Sequence, residues 1–135
     1  MEQLPIFVYG TLRPGEKNYR AYLGGRTLAE IPASVRGELY FVEDGGYPYL
    51  VDGAGRVEGE LVILVPEDYA QTLEMLDALE EYDPNNEAAS VYLRRQGRVR
   101  LTDGTETDAW TYYWNCPQVV GRKIPSGDFR KREAG

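Results

Sequence analysis

The chain has 135 residues, 42% of them apolar, and a formal net charge of −7 from 22 acidic and 15 basic residues. That length favours one domain with its own core, and the apolar share weighs against disorder. The acidic balance argues against nucleic acid or an anionic membrane as the main partner.

Histidine is absent, which removes Ser-His-Asp and Cys-His catalysis and deprives a transition-metal site of its commonest ligand. Proton transfer would fall to a carboxylate, a tyrosine or a lysine. The single cysteine, Cys116, excludes an internal disulfide and, with no imidazole to activate it, reads as a small apolar residue rather than a nucleophile. No apolar run approaches the roughly 20 residues that cross a bilayer, and the opening residues carry no positive n-region. A cytoplasmic protein without a secretory signal is the expectation.

In chain order, Ile6-Phe7-Val8-Tyr9 is a short apolar run stopped by Gly10, a buried strand ending in a turn. Thr11 to Gly15 reads as a loop, and Glu16 to Leu23 as a short helix closed by Gly24-Gly25. Val35 to Phe41 and Val57 to Val65 alternate partially and carry β-branched and aromatic residues. Tyr47 to Val51 is a third short strand, with Pro48 at an edge or a beginning. Gly37 and Gly59 suggest bulges or sharp coiling. Pro66 to Tyr82 reads as one helix, with Pro66 at its first position and Asp83-Pro84-Asn85-Asn86 unable to continue it. Val91 to Leu101 and Glu106 to Trp114 flank Asp103-Gly104, a hairpin signal. Gly121 to Arg132 is locally basic and reads as a tail docking through Ile124 and Phe129.

The pattern predicts an α+β domain: a small, strongly curved mixed β-barrel of about six strands, flanked by one main helix and one or two short ones. Residues 1–120 form the single domain and 121–135 a basic C-terminal tail.

Two stretches carry chemistry. On the long helix, Tyr69, Leu73 and Leu76 form an apolar stripe, and Glu80 falls near its middle while Glu74 and Glu81 point aside. Glu80 either reaches a base such as Arg94, Arg95 or Arg98, or solvent, or it lines a pocket where lost hydration raises its pKa and makes it a base near neutral pH. On an unbroken helix the side chains of Glu80 and Glu81 diverge by about 100°, so they cannot share a pocket. In the second stretch, a strand breaking at Gly10 exposes successive N–H groups that can hold an anion such as a carboxylate. It lacks the glycine pattern of a phosphate loop.

Val8-Tyr9-Gly10-Thr11-Leu12, Gly46-Tyr47-Pro48-Tyr49-Leu50-Val51, Gly59-Glu60-Leu61 and Leu76-Asp77-Ala78-Leu79-Glu80 resemble, in that order, the γ-glutamylcyclotransferase family, including its AIG2-like branch. Tyr92 to Arg95 and Ala109 to Trp114 fit the same pattern. The resemblance implies a small barrel flanked by helices, with Tyr9, Gly10, Thr11 and Leu12 holding a substrate's α-carboxylate and Glu80 as acid and base. The implied reaction is attack of a γ-glutamyl amide's own α-amine on its γ-carbonyl, releasing 5-oxoproline and a free amine. It requires no cofactor or metal. Its partner is a small-molecule γ-glutamyl amine or γ-glutamyl amino acid. Tyr47 and Tyr112 are candidate pocket-lining residues, and Tyr9 or a loop N–H a candidate oxyanion donor.

Two features depart from the resemblance. Many relatives have glycine directly after the glutamate, where this chain has Glu81, and Asp83 to Ser90 is long enough to reshape a pocket mouth. The leaving amine and the oligomeric state stay open. Two other classes also stay open: a γ-glutamyl or small-molecule binding module without catalysis, and an interaction protein working through its basic tail.

Overall fold

The short apolar run at the N-terminus closes a barrel. In the computed structural model, which describes residues 3–116 and 120–132, strand β1 is only Ile6–Val8. It pairs antiparallel with β3 (Tyr47–Leu64) and parallel with β5 (Glu106–Trp114). With β4 (Tyr92–Leu101) and β2 (Thr27–Val42) the cylinder runs β3-β1-β5-β4-β2 and returns to β3. Five strands therefore form a closed mixed barrel. A sixth, β6 (Arg122–Lys123), adds to β2 outside it at Tyr40 and Phe41.

Both faces of β1 are buried, which is why its sequence is continuously apolar rather than alternating. Phe7 and Tyr9 face the barrel interior with Val35, Leu39, Leu50, Val57, Leu61 and Val99. Ile6 and Val8 face a second core, where Val62, Tyr112 and Leu76 join the barrel to the helices.

The six strands are not the expected six. Tyr47 to Val51 and Val57 to Val65, expected as separate strands, are parts of the 18-residue β3. The glycines between them mark a break in pairing: Arg36 faces Arg56, and the next pair is Glu38 with Val51. The shift sits at Gly37, whereas pairing continues past Gly59 unbroken. Two residues of the basic segment, Arg122 and Lys123, supply the remaining strand. Ile124 and Phe129 are buried in the barrel core; residues 133–135 lie outside the described residues.

Both helices are shorter than expected. The first, α1, is Tyr19–Tyr22, because Glu16 and Asn18 close turns onto Arg13 and Thr11 instead of starting a helix. The main helix α2 is Tyr69–Leu79 after a 3-10 turn at Pro66–Asp68. It stops before Asp83-Pro84. The Tyr82 N–H bonds the Asp77 carbonyl and the Glu81 N–H bonds the Ala78 carbonyl, the paired bonds of a Schellman motif. Glu81 occupies its left-handed position at φ 53°, where glycine is usual. Left-handed backbone costs a residue with a Cβ roughly 1–2 kcal/mol, and glycine's extra freedom in the unfolded chain gives back roughly 0.5–1. Glu81→Gly should therefore stabilise the fold by about 0.5–1 kcal/mol in urea denaturation, and Glu81→Ala should gain nothing from strain relief.

Candidate active site

Beyond Val8 the chain leaves the sheet and folds into tight turns. Arg13 N–H bonds the Gly10 carbonyl at 3.0 Å and Asn18 N–H the Thr11 carbonyl at 2.9 Å, while Asn18 Nδ2 donates to Thr11 Oγ1. Gly10 is required here by packing, since a Cβ would strike the ring of Pro48. The N–H groups of Gly10, Thr11 and Leu12 make no hydrogen bond with any described residue.

These residues line a cavity of about 230 Å³ that also meets Tyr47, Glu80, Glu81 and Tyr112. All seven residues singled out from the sequence (Tyr9, Gly10, Thr11, Leu12, Tyr47, Glu80 and Tyr112) thus come together on one hollow. Glu81 lines it too. The expectation that two neighbouring acids cannot share a pocket assumed an unbroken helix, and the Schellman turn removes that condition.

The carboxylate of Glu80, the residue capping α2, has no hydrogen-bonding or ionic partner among the described residues. Of the three bases considered for it, Arg94 is bound to Asp77 through Nε and Nη2 at 2.8 and 3.1 Å. Arg98 pairs with Asp108 and Glu106, and Arg95 lines a separate hollow with Asp52 and Tyr113. Three of the tyrosines lining the cavity offer nothing either. Tyr9 donates its hydroxyl to the Tyr112 carbonyl at 2.7 Å, Tyr92 to the Pro48 carbonyl at 3.1 Å, and Tyr112 to Asp77 Oδ1 at 2.6 Å. Each phenol has one proton to give, and all three are committed elsewhere. Burial, with a smaller contribution from the charge of Glu81, pushes the Glu80 carboxyl up to about 7. Burial likewise raises the pKa of Tyr9, Tyr92 and Tyr112, and the Glu80 charge adds to the rise in each.

The carboxyl is held in place from below. Asp77, one turn earlier on α2, is gripped by Arg94 of β4 and Tyr112 of β5, and the Arg94 guanidinium lies over the rings of Trp110 and Tyr82 at 4.6 and 5.5 Å. The last turn of the helix is thereby tied to two barrel strands.

Sequence reasoning missed Asp77 and Arg94 as a pair, and also Lys17, Asn18, Pro48, Val91 and Tyr92 on the cavity wall. Asp77 carried a usable signal, being an acid three residues before Glu80 on the same helix. The wall residues carried none, because chain separation alone does not say which strand faces the loop.

The family model described as gamma-glutamyl cyclotransferase, AIG2-like, matches residues 6–131. The gamma-L-glutamyl-butirosin B gamma-glutamyl cyclotransferase of Niallia circulans is 38% identical over 111 residues, covering 82% of this chain; the chain spans 66% of that protein's length. A Vibrio cholerae protein, provisionally named a gamma-glutamylcyclotransferase, is 35% identical over 127 residues, or 94% of this chain and 96% of its own. Among solved structures, YkqA from Bacillus subtilis matches 96% of this chain with 40% of its own length, at a TM-score of 0.70 and 25% identity. With a family match across nearly the whole chain and relatives above 30% identity, this protein belongs to the AIG2-like gamma-glutamyl cyclotransferase family.

Proposed function

We propose that the protein cleaves a γ-glutamyl amide by cyclisation, releasing 5-oxoproline and a free amine, with Glu80 as the group that moves the proton. The observation that carries this reading is the unpartnered Glu80 carboxyl, lining the same cavity as three unused loop N–H groups.

The substrate's α-amine forms the new bond to the γ-carbonyl carbon, and the bond from that carbon to the leaving nitrogen breaks. No side-chain nucleophile is needed. The α-carboxylate is gripped by the N–H groups of Gly10, Thr11 and Leu12, folding the flexible γ-glutamyl chain so that the amine meets the carbonyl. Glu80 accepts a proton from the α-ammonium, whose solution pKa is about 8, and returns one to the departing nitrogen. A carboxyl titrating near 7 suits both halves of that exchange. Oxyanion stabilisation falls to a backbone donor or to solvent, because the Tyr9 proton is already spent on the Tyr112 carbonyl.

Glu80→Gln should keep the fold and abolish 5-oxoproline release from γ-glutamyl substrates, while Glu81→Gln keeps most of it; chromatography of the products decides. Reversal of the two variants would move the base to Glu81, and calorimetric binding without turnover in the unmodified protein would favour a binding module. Because the ionised form of Glu80 is the base, kcat/KM should fall about tenfold per pH unit below about pH 7.

Stability gives a test independent of turnover. The folded-state pKa lies above the unfolded value, so the stabilisation due to the proton on Glu80 is complete below about pH 4 and is lost as pH rises through about 7. At pH 8.5, Glu80→Gln should unfold harder than the parent by up to about 3 kcal/mol, and by much less at pH 4. Equal urea midpoints for the two proteins at pH 8.5 would show that the carboxyl is not desolvated.

A further inference from the structure

The C-terminal segment reaches the loop through a buried ionic knot. Arg13, directly after Leu12, is only 5% exposed. Its Nε and Nη2 bind both oxygens of Glu60 on β3 at 2.8 and 2.9 Å, and its Nη1 binds Asp128 Oδ1 at 2.7 Å. Burial works against the guanidinium charge, but the hydrogen bonds to Glu60 and Asp128 outweigh it, and the pKa lies above its ordinary value. From the same segment, Arg130 contacts Glu16 at 3.3 Å, Glu60 at 3.7 Å and the Pro14 carbonyl. The segment is itself well seated. Ile124 N–H bonds the Leu39 carbonyl at 2.8 Å, Glu58 N–H bonds the Gly127 carbonyl at 2.7 Å, and Gly127 at φ 71° lies where a Cβ would strike the Arg56 carbonyl.

We infer that residues 122–132 are a strap whose Asp128 positions the Gly10–Leu12 loop through Arg13. This rests on reading that loop as the carboxylate cradle. Glu60 faces Val8 in the sheet, so it alone fixes one end of the guanidinium fork, and Arg13 can still pivot about that edge. Asp128 grips the remaining nitrogen and removes the pivot. Arg13 N–H also closes the turn onto the Gly10 carbonyl, so a pivoting Arg13 would shift the three N–H groups of the proposed cradle. Asp128 is thus a positioning residue contributed by the far end of the chain.

The test compares Asp128→Asn with Lys123→Ala, which removes an exposed ion pair to Glu38 from the same strap without touching the loop. One readout is steady-state kinetics on a γ-glutamyl amino acid. The other is amide exchange at Arg13, Glu16 and Asn18, whose N–H groups close the loop turns. Asp128→Asn should raise KM about tenfold, leave kcat within about twofold, and speed exchange at those amides, whereas Lys123→Ala should do neither. Unchanged exchange in Asp128→Asn, or an equal effect from Lys123→Ala, overturns the inference. If Asp128→Asn does not fold, Asp128→Ser, which can still cap the Arg130 N–H but is too short to hold Arg13, carries the test, with faster exchange at those amides supporting the inference and unchanged exchange overturning it. If the unmodified protein releases no 5-oxoproline, the proposed function fails, and exchange alone decides whether the strap sets the loop.

Discussion

The fork between Arg94 and Asp77 is the constraint on which the cavity depends. It ties the last turn of α2 to β4, with Tyr112 adding a bond from β5, so the helix cannot drift outward to hydrate the carboxyl that follows. A half-buried acid without a partner tends to turn towards water, and a helix end is among the easiest places for it to do so. Here the escape is blocked one turn below. Two partly buried charges gain little net stability from one another. Their value lies in location, because they fix where a third, unpaired charge must sit.

The same logic recurs where the loop lines the cavity. The Gly10–Leu12 turn leaves its amides free, and nothing within it holds them in place. Its contacts come from outside, from Asn18 to Thr11 and from Arg13 with its two carboxylates. Each wall therefore has an arginine held in a fork: one beneath the acid, one behind the amides. Neither arginine lines the cavity. In an acidic chain, committing the local cations to structural carboxylates leaves Lys17 as the one base among the described lining residues.

Much of this was legible from the residues. The continuous apolar run of β1, the Asp103-Gly104 hairpin and the displaced position of Glu80 on its helix all follow from periodicity and turn chemistry. Three things were not legible. The end of α2 was misplaced because its left-handed cap is a glutamate, which gives no stop signal where glycine would. The long β3 looked like two strands because the glycines between Val51 and Val57 usually interrupt pairing, whereas here the chain stays extended across a register shift. The Arg13 knot was invisible because its partners lie 47 and 115 residues away, and a basic stretch near a terminus looks the same in sequence whether it waves in water or is sewn into the sheet.

One consequence follows from the brevity of β1. With three residues, this strand is at once the zip of the cylinder and the stem of the loop carrying Gly10 to Leu12. Any thermal excursion that unfastens Ile6–Val8 from its two neighbours must also drag that loop from its seat. Opening of the cylinder at this seam and displacement of the loop amides are thereby coupled through one short strand.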